Sequence, residues 1–163
     1  MVQKIVKKIL LIVMLAVNCF GEKALKKLPD NVQVTADNME YDTQKKHANA
    51  SGNVRLSYEI GGKSVVLTSD YLQAKFDDDG KLIEAIAKNN VAIIYDGSCL
   101  SAEVCTHDFN SQQALCTGSD VKLTQDKNEL HGNSATIDFA GQVFTMRADG
   151  RHQITSVIYP QKE

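Results

Sequence analysis

The 163-residue sequence has no tryptophan, two prolines and ten glycines, and aromatic residues make up only 6% of it. Glycine at every third position is missing, which excludes a collagen-like chain. With 43% hydrophobic and 23% charged residues, it is too apolar for a disordered chain. No window after residue 30 repeats apolar residues at a helical period, which excludes a coiled coil. The longest apolar run, Ile9–Val17, falls well short of the roughly twenty residues that span a bilayer.

Motifs for chemistry are also missing. There is no G-x-S-x-G, no Walker loop, no dinucleotide fingerprint and no cofactor signature, so the residues point away from an enzyme. His47, His131 and His152 lie near turns or strand ends, outside any H-E-x-x-H or H-x-H. Cys105, His107 and Cys116 lack the paired C-x-x-C spacing of a zinc site, and no metal site is expected. "DDDG" (Asp77 to Gly80) resembles the start of a calcium loop, but Lys88 stands where the ligating glutamate belongs, so the stretch reads as a solvated turn.

What the chain does have begins at its N-terminus. Lys4, Lys7 and Lys8 precede the short apolar run, and "NCFGEKA" follows it. This is the pattern of a secretory signal peptide over 1–24, cleaved near 21–24. An uncleaved anchor is the alternative. A lipoprotein at Cys19 is disfavoured, because Asn18 replaces the small residue expected before it. Residues 25–31 then form a linker, 32–159 a single domain and 160–163 a tail. The sequence has 18 basic and 20 acidic residues; losing residues 1–21 removes three lysines and no acid, leaving a net charge of −5. Such a domain is a poor partner for nucleic acid or anionic membranes. Export implies an oxidising compartment.

Four segments of the domain resemble one another: "VTADNMEYD" (from Val34), "LTSDYLQAKFD" (from Leu67), "LSAEVCTHD" (from Leu100) and "LHGNSATIDF" (from Leu130). Their starts are 33, 33 and 30 residues apart. Each opens on an apolar residue, passes through small or polar residues, usually to an acid, and resumes apolar positions five places on. The pairs are Val34/Met39, Leu67/Leu72, Leu100/Cys105 and Leu130/Ala135. In the fourth copy Asn133 replaces the acid. Strand side chains alternate with period two, so an odd offset sends the members of a pair to opposite faces unless the strand bulges between them. Four bulges at a regular spacing predict a sheet that curls around an interior.

Between the repeats run alternating strands. Ala48, Ala50, Gly52, Val54, Leu56 and Tyr58 share one parity, and Ile83, Ala85, Ala87, Val91, Ile93 and Tyr95 repeat the pattern. Ala114, Cys116, Val121 and Leu123 do so less cleanly. Turn signals such as "IGGK", "DDDGK" and "YDG" separate these runs. The expected fold class is all-β, with about eleven to fourteen short antiparallel strands. A hairpin turning at Asn110–Ser111 sets Cys105 opposite Cys116, a candidate disulfide; Cys99 is left free or takes either partner's place.

The four repeats, "GNV" at Gly52–Val54 and its echo "NNV" at Asn89–Val91 resemble the OstA-like domain of the LptA/OstA-like family of lipopolysaccharide transport proteins. The resemblance covers about Val32 to Val157. It implies a twisted β-jellyroll, open at both ends, with an apolar groove for the lipid A part of lipopolysaccharide. Val34, Met39, Tyr41, Val54, Leu56, Leu67 and Leu72 would line that groove, with Phe76, Val91, Ile93, Leu123, Ile137 and Phe139. Small residues such as Ala74 and Ala114 would leave room. The resemblance further implies a periplasmic carrier bridging inner and outer membranes, with LptC-like and LptD-like jellyrolls as partners. It also implies end-to-end self-association. "NVQVT" (Asn31 to Thr35) and "ITSVIY" (Ile154 to Tyr159) are the expected edge strands. No barrel sequence follows, which argues against a full-length LptD-like chain. An anchored LptC-like subunit, or an exported structural β-domain that binds protein and no lipid, are the alternatives.

Overall fold

The computed structural model describes residues 30–158. The expected leader, all of the linker but Asp30 and Asn31, Tyr159 and the tail lie outside the described residues. Among the described residues ten strands make one antiparallel sheet: β1 (Asp30–Thr35), β2 (Asn38–Asp42), β3 (His47–Ile60), β4 (Lys63–Phe76), β5 (Leu82–Tyr95), β6 (Ser98–Asp108), β7 (Gln113–Gln125), β8 (Asn128–Asp138), β9 (Val143–Arg147) and β10 (Thr155–Val157). No helix occurs among the described residues. The strands are fewer than the eleven to fourteen short ones expected. The reason is that β3 to β8 run 11 to 14 residues each, turning a corner without leaving the ladder.

Those corners lie where the odd offsets require them. The register shifts between Ser51 and Val54, Thr68 and Tyr71, Lys88 and Val91, Ser101 and Val104, and Thr117 and Val121. In β4 the buried positions are Val65, Leu67 and Ser69 before the corner, and Leu72 and Ala74 after it. The facing strands make the bend differently. Gly52, Asn53, Asn89 and Asn90 adopt left-handed backbone, a conformation that glycine and asparagine tolerate best. Two such residues leave the parity of β3 and β5 intact, so "GNV" and "NNV" are corners without a phase change.

The acid of each repeat braces the corner of a neighbouring strand. Asn53 Nδ2 donates to Asp37 Oδ2 at 2.8 Å, and Asn90 Nδ2 donates to Asp70 Oδ2 at 2.7 Å. Ser119 donates to Glu103 Oε1 from its backbone N–H at 2.9 Å and its hydroxyl at 2.5 Å. These bonds, the hydroxyl's first, hold the Glu103 carboxyl below its ordinary pKa. In the weakest repeat the roles reverse: Asn133 Nδ2 donates to the Ser119 carbonyl at 3.2 Å. The aspartates near the far end of the repeats cap turns. Asp42, Asp77, Asp108 and Asp138 each accept backbone N–H groups from the turn that follows.

The bent sheet has two leaves. β1, β10 and the halves of β3–β8 containing Val54–Ile60, Lys63–Ser69, Val91–Tyr95, Ser98–Ala102, Val121–Gln125 and Asn128–Gly132 form the first. β2, β9 and the other halves form the second. Tyr58 of β3 touches His107 of β6, although two strands, β4 and β5, lie between them in the sheet order. Such a contact requires the leaves to face each other across an interior, and one apolar core draws residues from both.

Candidate functional site

The interior is built from rows that cross the strands. On the first leaf Val34, Leu56, Leu67, Ile93, Leu100, Leu123 and Leu130 are successive cross-strand partners. Seven strands at ~4.8 Å spacing make this aliphatic ridge roughly 29 Å long. On the second leaf one row reads Met39, Ala50, Leu72, Ala87, Cys105, Cys116, Ala135, Met146. The next reads Tyr41, Ala48, Ala74, Ala85, His107, Ala114, Ile137, Phe144. Large aliphatic side chains on one leaf thus meet mostly small ones on the other. That complementarity fills the middle: Leu56, Ala87 and Ile137 have 0% exposure, and the small residues expected to leave room, Ala74 at 7% and Ala114 at 0%, are packed into the core instead.

The thirteen residues that sequence reading assigned to a groove all sit on inward-facing or row positions. Leu56, Leu67, Ile93 and Leu123 are buried in the ridge, with Val34 half-buried at its start. Leu72 and Ile137 are buried in the second leaf, and Val54 and Val91 beside the corners. Phe139 is buried at the leaf tip; Phe76 is half-buried there and meets the Tyr41 ring edge-on at 5.6 Å. Met39 and Tyr41 differ, at 44% and 48% exposure, because β2 is an edge strand with no neighbour to cover them. Val143 at 51% and Ile154 at 48% are exposed at the opposite edge. Neither belongs to a row; the rows end at that edge on the half-buried Leu130, Phe144 and Met146. Cys105 and Cys116, opposite each other in the ladder with Cα atoms 4.1 Å apart, form a disulfide in the row; Cys99 is free and half-buried.

Sequence reading missed how the side away from the corners closes. Tyr58 and Tyr95 precede first-leaf turns, and Phe109 and Phe139 follow turn aspartates on the second leaf. This pairing of aromatics with turns was the available signal. His107 stacks on Phe109, with ring centres 4.1 Å apart, and on Phe139 at 4.9 Å. Its Nδ1 lies 2.8 Å from Tyr58 Oη. Tyr95 Oη donates to the Phe139 carbonyl at 3.1 Å. Burial drives the His107 pKa down to about 3, so the ring is neutral, and raises both tyrosines. At the solvent rim Lys63 Nζ donates to Asp96 at 2.6 Å and to Gln142 Oε1 at 2.7 Å. No cluster of three metal-ligating side chains occurs among the described residues.

Residues 33–143 match the family model of the LptA/(LptD N-terminal domain) LPS transport protein. The chain belongs to that family. The matched stretch of this LptA-like chain takes in all six long strands, so the family pattern and the bent sheet coincide. Among solved structures the chain resembles LptH, described as the LptA homologous periplasmic component of the conserved lipopolysaccharide transport device from Pseudomonas aeruginosa. The two share 18% identity over 85% of this chain and 100% of that one, with a TM-score of 0.66, a likeness of fold. No curated protein sequence matches the chain.

Proposed function

We propose that the chain is an exported periplasmic carrier that holds the acyl chains of lipid A between its two leaves during lipopolysaccharide transport to the outer membrane. The observation that carries this reading is the set of cross-strand rows, apolar along the first leaf and broken only at His107 on the second, which run from Val34, Met39 and Tyr41 near one edge to Leu130, Phe144 and Met146 near the other. Each buried methylene is worth about 0.8 kcal/mol, so a row of this length offers ample affinity for several acyl chains without any cofactor. Membership of the lipopolysaccharide transport family supplies the ligand class.

The leaf edges suit a bridge. β1 and β2 at one end, and β9 and β10 at the other, each pair on one side only among the described residues. Unpaired edges add strands from a neighbour. They would join this jellyroll end to end with copies of itself and with LptC-like and LptD-like jellyrolls of the inner and outer membranes.

Displacement of a bound apolar fluorophore by purified lipopolysaccharide tests the carrier role, with a second measurement of the mature protein's mass to locate leader cleavage. Saturable displacement together with a mass lacking residues 1–21 or more supports a soluble carrier. Saturable displacement from an uncleaved chain favours the anchored LptC-like role. Absence of displacement favours a protein-binding β-domain.

A further inference from the structure

Five sulfur side chains occur among the described residues: Met39, Cys99, Cys105, Cys116 and Met146. Four of them share one inward row of the second leaf, where Met39, Cys105, Cys116 and Met146 are linked through Ala50, Leu72, Ala87 and Ala135. The two middle sulfurs are already oxidised to a disulfide and have 0% exposure. The two thioethers stand at the ends, on the edge strands β2 and β9. Those ends differ. Met146 is half-buried, and its Cγ and Sδ lie over Gly132, where a Cβ would come within 2.8 Å of either atom. Met39 is 44% exposed, and its row neighbour Ala50 is too small to cover it.

We propose that Met39 is a site of reversible oxidation that controls acyl-chain binding at this end of the interior. The inference rests on the lipid-carrier reading above. The oxidant is a peroxide. Its O–O bond breaks, one oxygen passes to the thioether sulfur as S=O, the sulfur gives up two electrons and water leaves. Two thiols return those electrons through a methionine sulfoxide reductase; they end joined as a disulfide, and the oxygen departs as water. Exposure makes Met39 the first thioether to react. The sulfoxide is polar and carries a strong acceptor. Ala50, Leu72 and Ala87, the next residues of the row, offer no side-chain donor to it. Without lipid, water satisfies the new oxygen. Under an acyl chain it is buried and unpaired. Oxidation therefore weakens lipid binding and leaves folding nearly untouched.

The test uses the full chain carrying Cys99→Ser, which removes the competing free thiol. The protein is treated with hydrogen peroxide and its methionines are followed by peptide mass mapping. Met39 is expected to gain one oxygen faster than Met146. Affinity for purified lipopolysaccharide, read by displacement of an apolar fluorophore, is expected to fall about tenfold, the effect of one unpaired buried acceptor. It should return after incubation with methionine sulfoxide reductases and dithiothreitol, and the urea midpoint should not move. Each variant serves as its own reference: in Met39→Leu, peroxide should leave the affinity where it stood before treatment. Untreated Met39→Gln, which places a permanent polar group at this position, should bind as weakly as the oxidised protein. Equal oxidation of the two methionines, an affinity unchanged by Met39 oxidation, the same peroxide loss in Met39→Leu, an unimpaired Met39→Gln, or a urea midpoint that falls with the affinity overturns the proposal and leaves the carrier reading standing. Failure of the untreated protein to bind lipopolysaccharide overturns both.

Discussion

Leu67 and Leu72 are five residues apart on one strand, yet both point into the interior, at 1% and 2% exposure. Ser69 and Asp70 lie at the bend between them, and the register slips there against both neighbouring strands. The same relationship holds for Leu100 and Cys105, both at 0% exposure. One extra residue per repeat is therefore what converts a flat ladder into two facing leaves.

Inward and outward parities should respond differently to charge. Leu56→Asp or Ile93→Asp buries an unpaired carboxylate and is expected to cost about 4 kcal/mol or more, enough to unfold the domain and end lipid binding. Arg55→Asp, on the exposed parity, should shift stability by no more than about 0.5 kcal/mol and leave binding intact. Urea denaturation of the three variants checks this.

The corners should be intolerant of side chains. A Cβ on Gly52, whose φ is +76°, would stand 2.5 Å from Asp37 Oδ2. Gly52→Ala is expected to lose about 2 kcal/mol through strain and displacement of the Asp37–Asn53 bond. In Gly97→Ala nothing crowds the new Cβ, so only the cost of its left-handed turn, about 1 kcal/mol, should appear. The difference in urea midpoint between the two isolates the clash.

Much of this was legible because the repeat encodes the rows directly. Val34, Leu67, Leu100 and Leu130, the four repeat starts, all fall in the ridge of the first leaf. Met39, Leu72, Cys105 and Ala135 share one row of the second. The strand count was less legible, because a bulge and a strand end have the same apolar signature. The Tyr58–His107 contact was hidden for a different reason. It joins positions 49 residues apart on non-adjacent strands, and nothing in alternation specifies which residues meet across the interior. The end positions of Met39 and Tyr41 followed from edge location, which periodicity does not report.

Acid should weaken the fold through His107. Burial lowers its pKa from 6.5 to about 3. The unfolded chain therefore binds a proton that the folded chain refuses between those values, and stability falls as pH drops through that window. The expected loss between pH 7 and pH 4.5 is ~2 kcal/mol. Carboxylates held below their ordinary range, such as Asp108 by its turn N–H groups, add losses in the same direction at still lower pH. His131, raised by Asp120, contributes with the opposite sign near neutrality, and its solvent exposure keeps that contribution small. In His107→Gln the slope of unfolding free energy against pH between 4.5 and 6.5 should flatten.

The Cys105–Cys116 bridge closes a short loop, and in the chain-entropy account its removal costs about 3 kcal/mol. Cys105→Ala/Cys116→Ala should lower the denaturation midpoint accordingly. Alkylation of the unreduced, unfolded chain followed by peptide mapping should label Cys99 and spare Cys105 and Cys116.

The claim that acyl chains lie on the concave side is tested most directly by photocrosslinking from the two faces of one strand. A benzophenone side chain at Phe76 replaces an inward aromatic, and one at Tyr71 replaces an aromatic whose hydroxyl bonds Asn49. After irradiation with purified lipopolysaccharide, the account predicts an adduct from position 76 and none from position 71. Equal adducts from both faces, or adducts from 71 alone, would contradict it.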